Sequence, residues 1–204
     1  MYDPRDVFGL DIETDNSPGS DGLDPTKSRI TEIAVDVDAS IGDGEVFTGP
    51  EHQILHDLQA FIDDLQPGLL TTWNGTFFDW PFIASRRAAI PMHLDFGLRL
   101  ALAPQLTPKY DYLPGHTTGY SAHWANADGT LLHAHLDVMG GYRRYAQEHN
   151  ISWSLKPVAR SLGIEMVELD RANLHDYTDL ERKAYCLSDA RGTRLLALRQ
   201  LGLD

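Results

Sequence analysis

Apolar residues recur along this chain in two periods, and the change from one period to the other divides it into elements. The run Val7-Phe8-Gly9-Leu10-Asp11-Ile12-Glu13-Thr14, bounded by Asp6 and Asp15-Asn16, reads as a buried strand. A polar loop over 15–27 follows, and 29–37 alternates as a second strand. The turn Gly42-Asp43-Gly44 leads into a short third strand over 45–48, which makes a hairpin. Residues 51–65 place Ile54, Leu55, Leu58, Phe61, Ile62 and Leu65 on one helical face. A strand is predicted over 69–73, then a helix over 81–89, and an irregular stretch over 103–119. Two more strands, 120–124 and 131–138, flank Asp128-Gly129 as a second hairpin. Two helices finish the chain. One covers 154–162 and stops at Gly163, and the other starts at the capping-box pattern Thr178-Asp179-Leu180-Glu181 and runs to about 201. Strands first and strand–helix alternation afterwards predict an α/β domain with a mixed sheet and helices against it.

Composition narrows the picture. A chain of 204 residues with 42% hydrophobic content can bury one sizeable core, and a single domain over 1–204 is expected, with no internal repeat and no linker. No apolar run approaches the ~20 residues that cross a membrane, and the first residues lack the layout of a secretion signal. The lone Cys186 excludes a disulfide framework and any multi-cysteine zinc site, which suits a cytoplasmic location, and reads as a small buried thiol. A net charge of −13 argues against coating nucleic acid by bulk electrostatics, but not against gripping a few phosphates through metals and local arginines.

The candidate chemistry starts at Asp11 and Glu13. Side chains alternate across a strand, so both carboxylates project to one face while Ile12 points away. Two adjacent acids on a core strand are costly to bury unless a cation sits between them, and carboxylate oxygens suit magnesium or manganese. Spacing alone does not decide, because Asp-x-Glu recurs at Asp43 and Glu45 and at Asp179 and Glu181. The pair stands equally for a metal site and for solvated strand-end acids. Asp79, in Asn74-Gly75-Thr76-Phe77-Phe78-Asp79-Trp80-Pro81, fits a helix N-terminus, where an acid favours the dipole. The surrounding Trp73, Phe77, Phe78, Trp80 and Phe82 exceed what a cap needs, and one or two of them can offer a stacking face to an unpaired base. Tyr185 and Asp189 lie four apart on the last helix, with Cβ atoms about 5–6 Å from each other, and read either as a boundary pair or as a phenol and carboxylate that position water and metal. His52 and His56, and likewise His133 and His135, read as exposed or structural histidines. Arg86, Arg87, Arg143, Arg144, Lys156 and Arg160 are candidates for phosphate contacts, with surface solubility the simpler account of most.

Taken in order, Asp-x-Glu, Asn-x4-Asp and Tyr-x3-Asp resemble the motifs of the DEDD superfamily of 3′–5′ exonucleases. More closely they resemble the proofreading exonuclease domain of B-family DNA polymerases. Phe8-Gly9-Leu10-Asp11-Ile12-Glu13-Thr14 matches the first motif, 73–81 the second and 185–190 the third. A fourth segment, 153–163, resembles the Ser-Leu-x-x-Val-Ala helix between the second and third, although Pro157 forces that helix to start close to it. The histidine subtype needs His where this chain has Ala184, so the resemblance is to the tyrosine subtype. It covers the chain from Val7 to about Leu198, and leaves 103–129 without a counterpart.

The resemblance implies a ribonuclease-H-like mixed five-stranded sheet flanked by helices, with an additional β-hairpin, as a free-standing domain. It implies two Mg2+ or Mn2+ ions and phosphodiester hydrolysis from the 3′ end of nucleic acid, releasing nucleoside 5′-monophosphates. Asp11 would bridge the ions, Glu13 and Asp189 hold the first, and Asp79 help place the second. Tyr185 would orient the attacking water, and Asn74 and Phe78 would contact substrate. Single-stranded DNA is the favoured partner and no membrane is involved. The alternatives are an exoribonuclease or oligonucleotide-degrading enzyme with the same site, and a non-catalytic nucleic-acid-binding module.

Overall fold

The structure, a computed structural model, describes residues 2–91, 96–103 and 119–204. In chain order its strands are β1 (Val7–Thr14), β2 (Ile30–Asp36), β3 (Glu45–Thr48), β4 (Gly68–Thr72), β5 (Leu98–Ala103), β6 (Gly119–Ala125) and β7 (Leu131–Asp137). Its helices are α1 (Glu51–Asp64), α2 (Asp79–Ala89), α3 (Met139–Glu148), α4 (Leu155–Ser161) and α5 (Asp179–Leu201), with a 3-10 turn at Arg171–Asp176. The strands form one mixed sheet in the order β3-β2-β1-β4-β7-β6-β5. The β1–β4 and β4–β7 pairs are parallel and the others antiparallel.

The five strands β3-β2-β1-β4-β7 are the sheet expected from the resemblance, and the fold is ribonuclease-H-like. The predicted hairpin over 120–138 is present as β6 and β7, but it continues the sheet rather than standing apart, and β5 adds a seventh strand beside it. Two elements escaped the pattern. β5 is an outer strand on which Leu102 is exposed, so it carries no sharp inside–outside contrast. α3 begins at Met139-Gly140-Gly141, and the two glycines mask a buried stripe of Met139, Tyr142 and Ala146. The irregular stretch expected over 103–119 falls mostly on 104–118, outside the described residues, while Ala103 and Gly119 themselves lie in strands.

β1 runs through the middle of the sheet and divides the core by alternation. Phe8, Leu10 and Ile12 face α1 and α2, packed with Ile33, Val35, Ile54, Leu58 and Phe82. Val7 faces the other way, into a cluster with Tyr142, Val158, Leu196 and Ala197 from α3, α4 and α5. Each fully buried Leu or Ile contributes about 1.5–3 kcal/mol by leaving water. The odd-numbered face of β1 therefore carries Gly9, Asp11 and Glu13 toward α5. At Gly9 the helix comes so near that an added Cβ would sit 2.0 Å from the Ala190 carbonyl oxygen. No side chain larger than hydrogen fits there without moving the helix off the strand.

The last two helices start and stop close to where the sequence says. The Thr178 hydroxyl accepts from the Glu181 N–H, and the Glu181 carboxylate accepts from the Thr178 N–H at 2.8 Å, which completes the capping box of α5. Pro157 lies in the first turn of α4, where no intrahelical N–H is needed. Gly163, with φ of 77°, ends the segment after α4. No described helix is long and apolar enough to cross a membrane.

Candidate active site

Asp11 and Glu13 emerge from β1 on the face that meets α5, two residues apart on the same side. Asp189 comes from α5, one turn after Tyr185. Ligand oxygens of Asp11, Glu13 and Asp189 all lie within 4.8 Å of one another. Asp79, the first residue of α2, lines the same cleft. All four acids line one cleft of about 740 Å³, together with Asn74, Phe78, Trp73, Trp153 and Arg171. Glu13, Asp79 and Asp189 are only 7%, 3% and 8% exposed, and Asp11 is half-buried, so of the strand pair Glu13 is not a solvated strand-end acid. The look-alike pairs differ in this respect: Asp43, Glu45, Asp179 and Glu181 are all exposed.

Electrostatics at this cluster is dominated by burial and mutual repulsion. Burial, then the charges of Glu13, Asp189 and Asp79, pushes the Asp11 carboxyl well above its ordinary value. Burial raises Glu13, with Arg171 opposing it and Asp189 and Glu32 adding to it. Asp79 is lifted to about 7 by burial, although backbone N–H groups, including that of Ile12, favour its ionised form. Asp189 rises to about 6 through burial, with the Lys156 ammonium acting the other way. Three carboxylates within 4.8 Å of one another, with Asp79 in the same cleft, fit a hard divalent cation, which would relieve the repulsion that raises them.

Local structure explains why each group points inward. Asn74 sits at φ of 74°, a left-handed turn that this residue type tolerates, between β4 and α2. Asp137, the last residue of β7, holds that turn: its carboxylate accepts from the N–H groups of Asn74 (3.1 Å), Thr76 (3.0 Å) and Met139 (3.2 Å). The Asn74 side-chain carbonyl is buried with no hydrogen-bond partner among the described residues. Of the five aromatics around Asp79, Phe77, Trp80 and Phe82 are in the core, while Trp73 and Phe78 are half-buried on the cleft wall. Behind Glu13, the buried Glu32 lies directly across the β1–β2 ladder and accepts from Arg182 Nε at 2.9 Å.

Tyr185 is placed differently from the acids. Its ring is 1% exposed, behind the cluster rather than among the residues that line the cleft. Lys156 Nζ lies 3.4 Å from the ring centroid and 3.0 Å from Asp189 Oδ1. Burial, followed by the charges of Asp189 and Glu13, raises the phenol above its ordinary value, so it keeps its proton and remains a donor. Cys186 is a buried inert thiol, pushed up by burial, with Sγ 3.7 Å from the Asp11 carbonyl oxygen.

Sequence reasoning misses three participants. Lys156 reads in the sequence as one more surface cation, yet it is buried against Asp189 and Tyr185. Asp137 and Arg171 carry no motif; only the folded chain sets Asp137 under the Asn74 turn and brings Arg171 to the cleft. The other cations behave as solubility groups or structural ties. Arg86 makes a bidentate pair with Glu51, Arg144 pairs with Glu148, Arg160 with Glu168, and Arg143 stacks on Trp153. His52 and His56 are exposed, and His133 is a structural residue that accepts from the Gly68 N–H at 3.1 Å and, through its other ring nitrogen, donates to the Ile62 carbonyl at 3.0 Å.

Fold and site together define a ribonuclease-H-like α/β domain with an acid-lined cleft. Residues 43–99, which include Asn74, Phe78 and Asp79, match the family model described as DNA polymerase family B, exonuclease domain. The chain is 27% identical over 159 residues to the catalytic subunit of DNA polymerase epsilon from Schizosaccharomyces pombe, covering 76% of this chain and 6% of that protein. Against the corresponding polymerase epsilon protein of Saccharomyces cerevisiae it is 29% identical over 150 residues, covering 70% of this chain and 6% of the relative. The solved family B DNA polymerase of the hyperthermophilic archaeon Pyrobaculum calidifontis superposes with a TM-score of 0.60 at 22% identity, covering 96% of this chain and 24% of that one. The chain thus spans about 6% of the length of the curated relatives it matches. The likeness in sequence is to the exonuclease domain of family B DNA polymerases over 43–99 and, in fold, to a family B polymerase along most of the chain.

Proposed function

We propose that this chain is a metal-dependent 3′–5′ exonuclease of the tyrosine subtype, which shortens nucleic acid from its 3′ end and favours single-stranded DNA. The observation that carries the reading is the convergence of Asp11, Glu13, Asp79 and Asp189 from β1, α2 and α5 on one cleft. A binding module has no use for three buried carboxylates and a half-buried fourth that repel one another. A phosphodiester hydrolase that loads divalent ions does.

Asp11, Glu13 and Asp189 would hold one Mg2+ or Mn2+ ion, and Asp11 with Asp79 a second. Such ions supply a water nucleophile at neutral pH and neutralise charge on the departing 3′ oxygen. The protein's own groups do the rest. Lys156 fixes the Asp189 carboxylate by its ion pair and covers the face of Tyr185, so the phenol approaches the cluster in one orientation. Tyr185, kept protonated, can donate to or orient a water beside Asp189. Phe78 and Trp73 give half-buried aromatic faces to unstacked terminal bases, and Asn74 lines the cleft beside them as a further substrate contact. The product would be nucleoside 5′-monophosphates.

The test is incubation of end-labelled single-stranded DNA, duplex DNA and RNA with Mg2+ or Mn2+, with Asp11→Ala as control. Stepwise release of mononucleotides from the 3′ end by the native chain, and none by the variant, is expected. Absence of release with either ion, or equal release by both proteins, overturns the reading.

A further inference from the structure

Arg171 is a cation of the cleft with no assigned work. It opens the 3-10 turn Arg171–Asp176, and its place there is fixed from both sides. The Asp170 side chain caps the turn by accepting from the Ala172 N–H at 3.0 Å, and the Asn16 side-chain amide donates to the Arg171 carbonyl at 2.5 Å. The side chain is exposed to the water of the cleft and lines it together with the four acids. Yet its guanidinium makes no ion pair or hydrogen bond with any described residue. Arg86, Arg182 and Arg194 are each held by carboxylates at 2.7–2.9 Å. Arg171 faces a larger collection of carboxylates and stops short of all of them.

A counter-ion for the acids would close that gap. An unused fork of N–H donors held opposite a cluster of carboxylates is instead the arrangement that receives a bidentate oxyanion lying between them. We infer that Arg171 takes the non-bridging oxygens of a phosphodiester in a nucleic-acid strand seated in the cleft, from the side opposite the carboxylates. The inference rests on the reading of the cleft as a nuclease site. Geometry supports it: the 3-10 turn sets Arg171 on the wall of the same cleft that Asp11, Glu13, Asp79 and Asp189 line. It also separates the two cations of the site. Lys156 is engaged by Asp189, whereas Arg171 remains available.

The experiment measures binding without turnover. A 5′-fluorescein-labelled single-stranded DNA 12-mer is titrated by anisotropy in Ca2+ against the native chain, Arg171→Ala and Arg171→Gln. A second 12-mer carries one methylphosphonate at the 3′-terminal linkage. Mn2+ binding without DNA is followed by calorimetry. Both variants are expected to bind DNA about tenfold or more weakly, with the slope of log affinity against log salt smaller by about 0.7. The methylphosphonate should weaken the native chain but add little to the loss in either variant. Mn2+ should bind the variants as tightly as the native chain or tighter, since a competing charge has gone. Unchanged DNA affinity overturns the assignment, and so does loss of Mn2+ together with DNA, which would make Arg171 a support for the acids. A native chain that binds no DNA at all would sink the reading of the cleft itself, which distinguishes that failure from this one.

Discussion

Two ends of the same strand–helix contact treat charge in opposite ways. At the start of β1, Arg194 from α5 is 5% exposed and fully engaged: it donates to the carbonyls of Val7 (2.7 Å) and Pro4 (3.0 Å) and to Asp38 (2.8 Å), with Asp36 at 3.8 Å. Asp38 is held down at about 2, by hydrogen bonds from Ser40 and then by Arg194. Further along the same two elements, Asp11, Glu13 and Asp189 share a cleft with Asp79, Lys156 is the one cation that pairs with them among the described residues, and all four carboxyls are pushed up. The first cluster ties its buried cation to Asp38 and two backbone carbonyls and becomes part of the fold, although burial still lifts Asp36 to about 6. The second leaves a deficit of positive charge, and that deficit is what an ion and a strand can fill.

The comparison can be broken by substitution. Asp11→Ala should cut nucleotide release by on the order of a thousandfold or more while leaving the protein folded, checked by gel assay beside a thermal melt. Arg194→Ala should do the reverse: a loss of about 3–5 kcal/mol in urea melts, with rate per folded molecule kept, because the buried Asp36 and its neighbours lose their partner. A cost no larger than that of Arg144→Ala, an exposed pair worth at most about 1 kcal/mol, would erase the distinction between the two ends. Tyr185→Phe should lower the rate about 10- to 100-fold and leave Mn2+ binding intact by calorimetry. Loss of the ion would show that the phenol supports the carboxylates instead.

The smallest effect concerns pH. The cluster's carboxyls titrate near 4 in the unfolded chain and higher when folded, Asp189 at about 6 and Asp79 at about 7. The folded state therefore binds more protons in that window, and stability falls as pH rises from about 4 to 8. In the absence of divalent ions the melting temperature should drop by a few degrees across it, on the order of 2–4 °C per kcal/mol. Mn2+ should restore most of the loss at the upper end, and Asp11→Asn should flatten the slope. An identical slope in that variant would mean the cluster does not carry the linkage.

Much of this is legible in the chain. Period-two alternation places Asp11 and Glu13 on one face, and the structure puts that face against α5. The capping box marks the start of the helix that bears Tyr185 and Asp189. Chain-wide order of motifs makes the four acids recognisable before any contact is known. What stays hidden depends on distant contacts. Asp137 works through three backbone amides, two of them more than sixty positions away, and Lys156 looks like any surface cation until Asp189 and Tyr185 close around it. Arg171 stands on a 3-10 turn that has no periodicity to read. Tyr185 itself is recognisable, but not that it sits behind the cluster under Lys156.

Gly9 never touches the cleft, yet it sets the bite of the acid cluster. Because that position carries only hydrogen, α5 rests directly on β1, with the Ala190 carbonyl in the space a methyl group would need. Asp189 directly precedes Ala190, and Asp11 lies two residues beyond Gly9 on the strand. The span between the two carboxylates is therefore gauged by the thickness of a missing side chain. Any residue larger than glycine would jack the helix outward and spread the jaws, changing the ionic radius they can close on without altering a single ligand.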